Sequence, residues 1–236
     1  MAWRKKAPDT LAFGVVEGWR RYELQLARYQ EMIPALSSAL ADGVTVLDVG
    51  CGGGHAKRFL DTLPPRPRWV GIDTDAGRAT QCRRLGYDSV LPIDLERERI
   101  PLPDAACRVV IASHVLEHLL DPARAVAEWM RVLAPGGVLL VGVPMHVPPV
   151  AWAMRLRYRL RGRRPFGHCQ FFTRCSLARL FRPYAVREVR GFRVLSARRW
   201  LPLEDRAWFY RASVAFGRRF PGLTTEVNVV IDKPSA

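Results

Sequence analysis

The stretch that decides the fold is Val46-Leu-Asp-Val-Gly-Cys-Gly-Gly-Gly54. Val44 to Val49 is a short apolar run that stops at a glycine cluster, and His55 to Leu63 reads as a helix ending at Pro64-Pro65. A short apolar run bounded by turn residues is the pattern of a strand buried on both faces of a parallel sheet. Gly50, Gly52 and Gly54 let the backbone turn tightly and approach a ligand with no Cβ in between. The helix that follows offers unpaired amides and the positive end of its dipole. Strand, glycine turn and helix together predict a ligand loop at a strand's carboxyl end.

The same alternation continues outward. Arg68 to Ile72, Ser89 to Pro92, Arg108 to Ala112 and Gly137 to Val143 read as strands. Asp75 to Leu85 and Pro122 to Leu133 read as the helices between them, with Pro135-Gly136-Gly137 as a turn. Val186 to Val194 and Glu226 to Asp232 add two final strands. The expected fold is α/β: a seven-stranded, mostly parallel, doubly wound (Rossmann-like) sheet with helices on both faces. Right-handed crossovers then gather the loops after the strands on one edge, where ligands bind. Upstream, Trp19 to Ala41 has helical periodicity in Tyr22, Leu26, Tyr29, Ile33, Leu36 and Leu40, and stops at Asp42-Gly43. Downstream, Pro148 to Arg164 is basic and amphipathic, Thr173 to Phe181 reads as a helix capped by Thr173, and Trp200 to Phe220 is aromatic and basic.

The 236 residues, 49% hydrophobic, suit one domain with a sizeable core. A net charge of +15 favours anionic partners, or reflects only an arginine-rich surface. Five cysteines form no CxxC pair, which argues against a disulfide framework or a zinc site. The basic start, Met1 to Lys6, lacks the apolar stretch of a signal peptide, and no run reaches the roughly 18–20 residues of a membrane span. The expected location is the cytoplasm, with peripheral attachment to a membrane left open.

Chemistry-bearing residues fall on the predicted ligand edge. Asp48 stands two residues before the first glycine, which suits a cationic amine better than a pyrophosphate. His55 occupies the place where a dinucleotide fingerprint would carry its third glycine, which disfavours a nicotinamide enzyme. Asp73, in Gly71-Ile-Asp-Thr-Asp75, ends the second strand about twenty residues on, where a carboxylate can accept both hydroxyls of a ribose. Asp75 reads as a helix cap. Asp94 and Leu95 follow the third strand, and Ser113 and His114 the fourth.

These motifs, with Ala112-Ser-His-Val-Leu-Glu-His-Leu-Leu-Asp-Pro122 and Arg131-Val-Leu-Ala-Pro-Gly-Gly137, resemble class I S-adenosylmethionine (SAM)-dependent methyltransferases. The last two resemble the subfamily that includes ubiquinone- and menaquinone-pathway enzymes. The resemblance implies SAM as cofactor. It implies that Asp48 holds the amino end, that Gly50, Cys51, Gly52 and Gly54 pack on the methionine and ribose, and that Asp73 with Thr74 takes the ribose. Asp94 and Leu95 would meet the adenine, and Ser113 and His114 would line the cleft. Gly167-His-Cys-Gln-Phe-Phe-Thr173 resembles a further element of these enzymes and makes His168, with His114, a candidate catalytic residue.

His114, Glu117 and His118 have metal-ligand spacing, but the wider family carries the same pattern without metal, so no metal is expected. The chain would then be a single domain: a helical cap (1–42), a cofactor core (43–144), and insertions 145–172 and 195–225 on the substrate side. The expected acceptor is a small or lipid-linked molecule, methylated on oxygen or nitrogen. An anionic acceptor and contact with an anionic membrane remain open, as do monomer and homodimer. RNA or DNA methylation is the alternative that the charge suggests, but the chain lacks the Asn/Asp-Pro-Pro-Tyr/Phe element of many amino-directed enzymes. Intact acidic and glycine positions argue against a third reading, a non-catalytic partner protein.

Overall fold

A computed structural model describes residues 28–61, 65–161, 167–194 and 206–235, with the short pieces 11–12, 15–16 and 203. Its centre is a seven-stranded sheet: β1 Thr45–Val49, β2 Arg68–Ile72, β3 Ser89–Leu91, β4 Cys107–Ser113, β5 Leu133–Pro144, β6 Ala185–Arg193 and β7 Glu226–Asp232. The spatial order is β3-β2-β1-β4-β5-β7-β6. β1 to β5 pair in parallel, and β7 runs antiparallel between β5 and β6. Strand order reverses beside β1, so the loops after β1 and β4 splay apart there and open a crevice at the carboxyl edge.

The strands bury both faces because their apolar residues alternate between two cores. Leu47, Val49, Val110, Ala112, Leu139 and Val141 pack with helix α4 (Pro122–Val132). Val46, Val109, Ile111, Val138 and Leu140 pack with α1 (Met32–Leu36), α2 (His55–Leu60) and α3 (Ala76–Arg84). A period of two along a strand sends neighbours to opposite faces. On α4, Ala125, Val126, Trp129 and Val132 form the buried stripe, and Asp121 with Pro122 starts the helix by accepting the Arg124 amide.

The expected fold is the observed one. Residues 19–27 of the expected first helix lie outside the described residues; the rest breaks at Glu31 into two pieces. Pro135-Gly136-Gly137 is absorbed into β5 as an irregularity rather than a separate turn, with Gly136 at φ +68° and the register slipping against β4. After Pro144 come α5 (Pro148–Arg161), α6 (Arg174–Leu180) and α7 (Ala207–Arg219). Thr173 caps α6 in a reciprocal box with Ser176. α7 is a helix within the aromatic stretch, and its Val214 packs on Phe192 of β6. Trp200 lies outside the described residues.

Candidate cofactor and acceptor site

The carboxyl edge holds a cleft of about 330 Å³ lined by Gly50, Asp73, Thr74, Asp94, Leu95 and His114, with Ile72, Arg78, Ile93, Val115, His118 and Leu119. Six residues chosen from sequence therefore meet in one cavity, drawn from the ends of β1, β2, β3 and β4.

The glycines divide their labour. All three have left-handed backbones, with φ of +65° at Gly50, +51° at Gly52 and +71° at Gly54. A Cβ at Gly50 would stand 2.5 Å from Val115 Cγ2, so only glycine leaves the cleft floor open. The Gly52 amide donates to Asp73 Oδ2 at 2.9 Å, which ties the loop to the end of β2. Gly54 begins α2, and a Cβ there would meet Leu85 at 2.7 Å, so its role is helix packing. Cys51 belongs to the loop but turns its thiol into the core, 3.4 Å from the Cys82 sulfur.

Asp73 accepts the amides of Gly52 and, through Oδ1, Asp75, both at 2.9 Å, and remains on the cleft wall. Two of its four lone-pair sites are thus spent on the backbone and two remain for a ligand. Asp75 caps α3 by accepting the Arg78 amide. Asp94 accepts the Glu96 amide at 2.9 Å and sits 3.5 Å from Arg97. Asp48 is buried behind the loop, where Tyr87 donates its hydroxyl to Oδ2 at 2.5 Å. Burial pushes the Asp48 carboxyl up to about 7 and nearby Asp73 adds to the shift, while the Tyr87 bond opposes it.

Across the cleft, His114 adopts φ +57°, a conformation rare outside glycine. Its Nδ1 lies 3.1 Å from Glu117 and its Nε2 3.5 Å from Glu226. Burial lowers the imidazole's affinity for a proton, but the two carboxylates outweigh burial and raise its pKa above the ordinary value. Glu226 is itself clamped by Arg28 at 2.9 Å and Arg193 at 2.8 Å. Burial would raise its pKa, yet Arg28, His114 and Arg193 hold it down to about 2. Ser113 is not among the cleft-lining residues; its Oγ lies with Asn228 Oδ1 over Gly142, within 3.3 Å of where a Cβ would stand.

His168 stacks edge-on against His118 at 4.9 Å between ring centres, because the Cys169 and Gln170 amides both donate to the Glu117 carbonyl. Burial is the main reason its pKa falls below the ordinary value. Glu117, His118 and His168 bring one ligand atom each within 4.8 Å of one another, a spacing a divalent ion could use. That set takes in His168 rather than the His114 that sequence spacing suggests. Sequence reasoning missed Tyr87, Arg28, Arg193 and Glu226, which carry no motif of their own.

A family model described as a methyltransferase domain matches residues 19–187. The chain belongs to this methyltransferase family. A trans-aconitate 2-methyltransferase of Azoarcus is 34% identical over 128 residues, covering 50% of this chain and 49% of the relative. A dimethylglycine N-methyltransferase of Parasynechococcus marenigrum is 33% identical over 115 residues, covering 47% and 41%. The chain thus spans less than half the length of these curated relatives. A SAM-dependent methyltransferase structure from Aquifex aeolicus has a TM-score of 0.53 at 16% identity over 87% of this chain and 89% of that one, which shows the shared fold.

Membership implies SAM, and the residues present fit it. Gly50 keeps open a floor that a Cβ would fill, and Asp73 faces the cleft with acceptor sites to spare. The cavity volume falls in the range of small-molecule sites.

Proposed function

We propose that this chain transfers a methyl group from SAM to an oxygen or nitrogen of a small or lipid-linked acceptor. When bound, the cofactor supplies an electrophilic sulfonium methyl. The protein's task is then to hold the acceptor in line, exclude water and manage one proton. Asp48 would hold the cofactor's ammonium and Asp73 its ribose. Asp94 and Leu95 border the adenine end, and the Gly50–Gly54 loop lets the backbone come close.

His114 carries the reading. It sits on the cleft wall between two carboxylates that fix its ring and favour its protonated form. With Glu117 held on Nδ1, Nε2 turned from Glu226 toward the acceptor would take the proton of a hydroxyl or ammonium, and Glu117 would stabilise the resulting imidazolium. Neutral His114 is the active base, so turnover should rise with pH through its elevated pKa. His168, beside His118 at the same edge, is assigned to acceptor contact.

The test incubates the protein with methyl-labelled SAM and separated extracts of small metabolites, lipids and RNA. Label in the metabolite or lipid fraction is expected; label confined to RNA would contradict the reading. His114→Gln should keep SAM affinity and lose about 10²-fold or more in kcat, the lower range for a general base. An unchanged kcat would remove His114 from the chemistry.

A further inference from the structure

Helix α5 has two apolar faces, and the fold uses one. Ala151 is buried and Met154 and Tyr158 are half-buried, at steps of three and four that mark the packed side. At about 100° per residue, Trp152, Leu156 and Leu160 align on the opposite side. They are 65%, 39% and 76% exposed. A helix seated by one face ordinarily turns polar residues outward, so this second stripe needs a partner.

Charge selects the partner. Arg155 and Arg159 flank the stripe on one side and Arg157 on the other, and residues 144–164 contain six arginines and no acid. An apolar stripe bordered by arginines is the pattern of a helix lying in an anionic bilayer interface. Leucine and tryptophan enter the acyl boundary while guanidinium groups reach phosphates. Nucleic acid would engage the arginines and leave Trp152 and Leu160 in water. A second copy docked on the stripe would bring two arginine rows together. Among the described residues no helix is long and apolar enough to cross a membrane, so α5 lies on the surface. The helix begins four residues after β5 ends, and the His146 amide bonds the Phe172 carbonyl, which fixes its base at the carboxyl edge.

We infer that α5 docks the protein on an anionic membrane, with Trp152, Leu156 and Leu160 inserted and Arg157 and Arg159 on lipid phosphates. Docking stands apart from the methyl-transfer reading; delivery of a lipid-linked acceptor to the cleft rests on it.

The experiment is sedimentation with vesicles of phosphatidylcholine alone and of phosphatidylcholine mixed with phosphatidylglycerol. Wild type should bind the mixed vesicles and bind the neutral ones far less. A Trp152→Glu/Leu160→Glu variant should lose binding by more than about tenfold, since two apolar anchors become charges that cannot enter the acyl region. Arg157→Gln/Arg159→Gln should lose about fivefold per charge, and less at high salt. Both variants should keep the wild-type circular dichroism and SAM affinity. The inference is overturned if wild type ignores the phosphatidylglycerol vesicles or if folded variants bind them equally. It is also overturned if the stripe mediates a wild-type dimer, seen by ultracentrifugation, whose loss leaves vesicle binding intact. Wild type that binds vesicles yet transfers no methyl to any extract would contradict the function reading and leave docking standing.

Discussion

The two sides of the cleft are built by different physics. At the ends of β2 and β3 the polar contacts are local or nearly so: Asp73 serves the Gly52 and Asp75 amides, 21 and 2 residues away, and Asp94 serves Glu96. Around His114, Glu226 gathers Arg28 and Arg193 from distant parts of the chain. One side is set by backbone turns that short motifs specify. The other is a desolvated charge network assembled by the fold. Turns cost little to keep, whereas buried charges are costly unless every partner is present. The comparison predicts that cofactor affinity and acceptor turnover can be broken separately.

Ranked by effect on SAM affinity, Gly50→Ala comes first. Its Cβ would collide with Val115 in a left-handed backbone, so strain and overpacking together should cost about 2–5 kcal/mol of folding stability, and the displaced loop should lose SAM affinity with it. Calorimetry and thermal melts should both register it. Asp73→Ala should follow, weakening SAM by about 1.5–3 kcal/mol, the scale of hydrogen bonds to a charged group. A folded variant with unchanged affinity would take Asp73 out of the site.

Asp48 should give a pH signature. Its folded pKa of about 7 lies above the ordinary carboxylate value. In the free protein its contribution to stability is therefore full at acid pH and is lost as pH rises through about 7. A bound ammonium reverses the preference, so SAM affinity should rise between pH 6 and 8, by at most about 1.4 kcal/mol per pH unit. Tyr87→Phe removes the bond that favours the carboxylate and should move this profile to higher pH. A flat profile would detach Asp48 from the ligand. Glu226→Gln should leave SAM affinity unchanged. It should cost about 3–5 kcal/mol of stability, because Arg28 and Arg193 lose their buried partner, and should lower turnover through His114.

This contrast also explains what was legible in the sequence. The seven strands were readable because buried parallel strands are apolar runs bounded by turn residues. Gly50, Asp73, Asp94 and His114 were readable as residues of the carboxyl-edge cleft because each follows a strand at a fixed place in the alternation. Glu226 begins a strand whose neighbours are apolar, and Arg28 is one of many arginines, so nothing local marks either; tertiary pairing gives them their roles. Tyr87 reaches Asp48 across Gly71, a contact that depends on strand register. Helix α7 was hidden because its aromatic residues fall on both faces: Phe209 and Tyr210 pack with Val214 while Trp208 and Phe216 are exposed. The stripe on α5 was partly legible as a basic amphipathic segment, but which apolar face the core takes needed the fold.

The most direct test of the account is titration of the wild-type protein with SAM, its demethylated product and NAD by calorimetry at neutral pH. Saturable binding of SAM and its product, weakened by Asp73→Ala and untouched by Glu226→Gln, is the predicted result. No heat with SAM, alongside saturable binding of NAD, would contradict it.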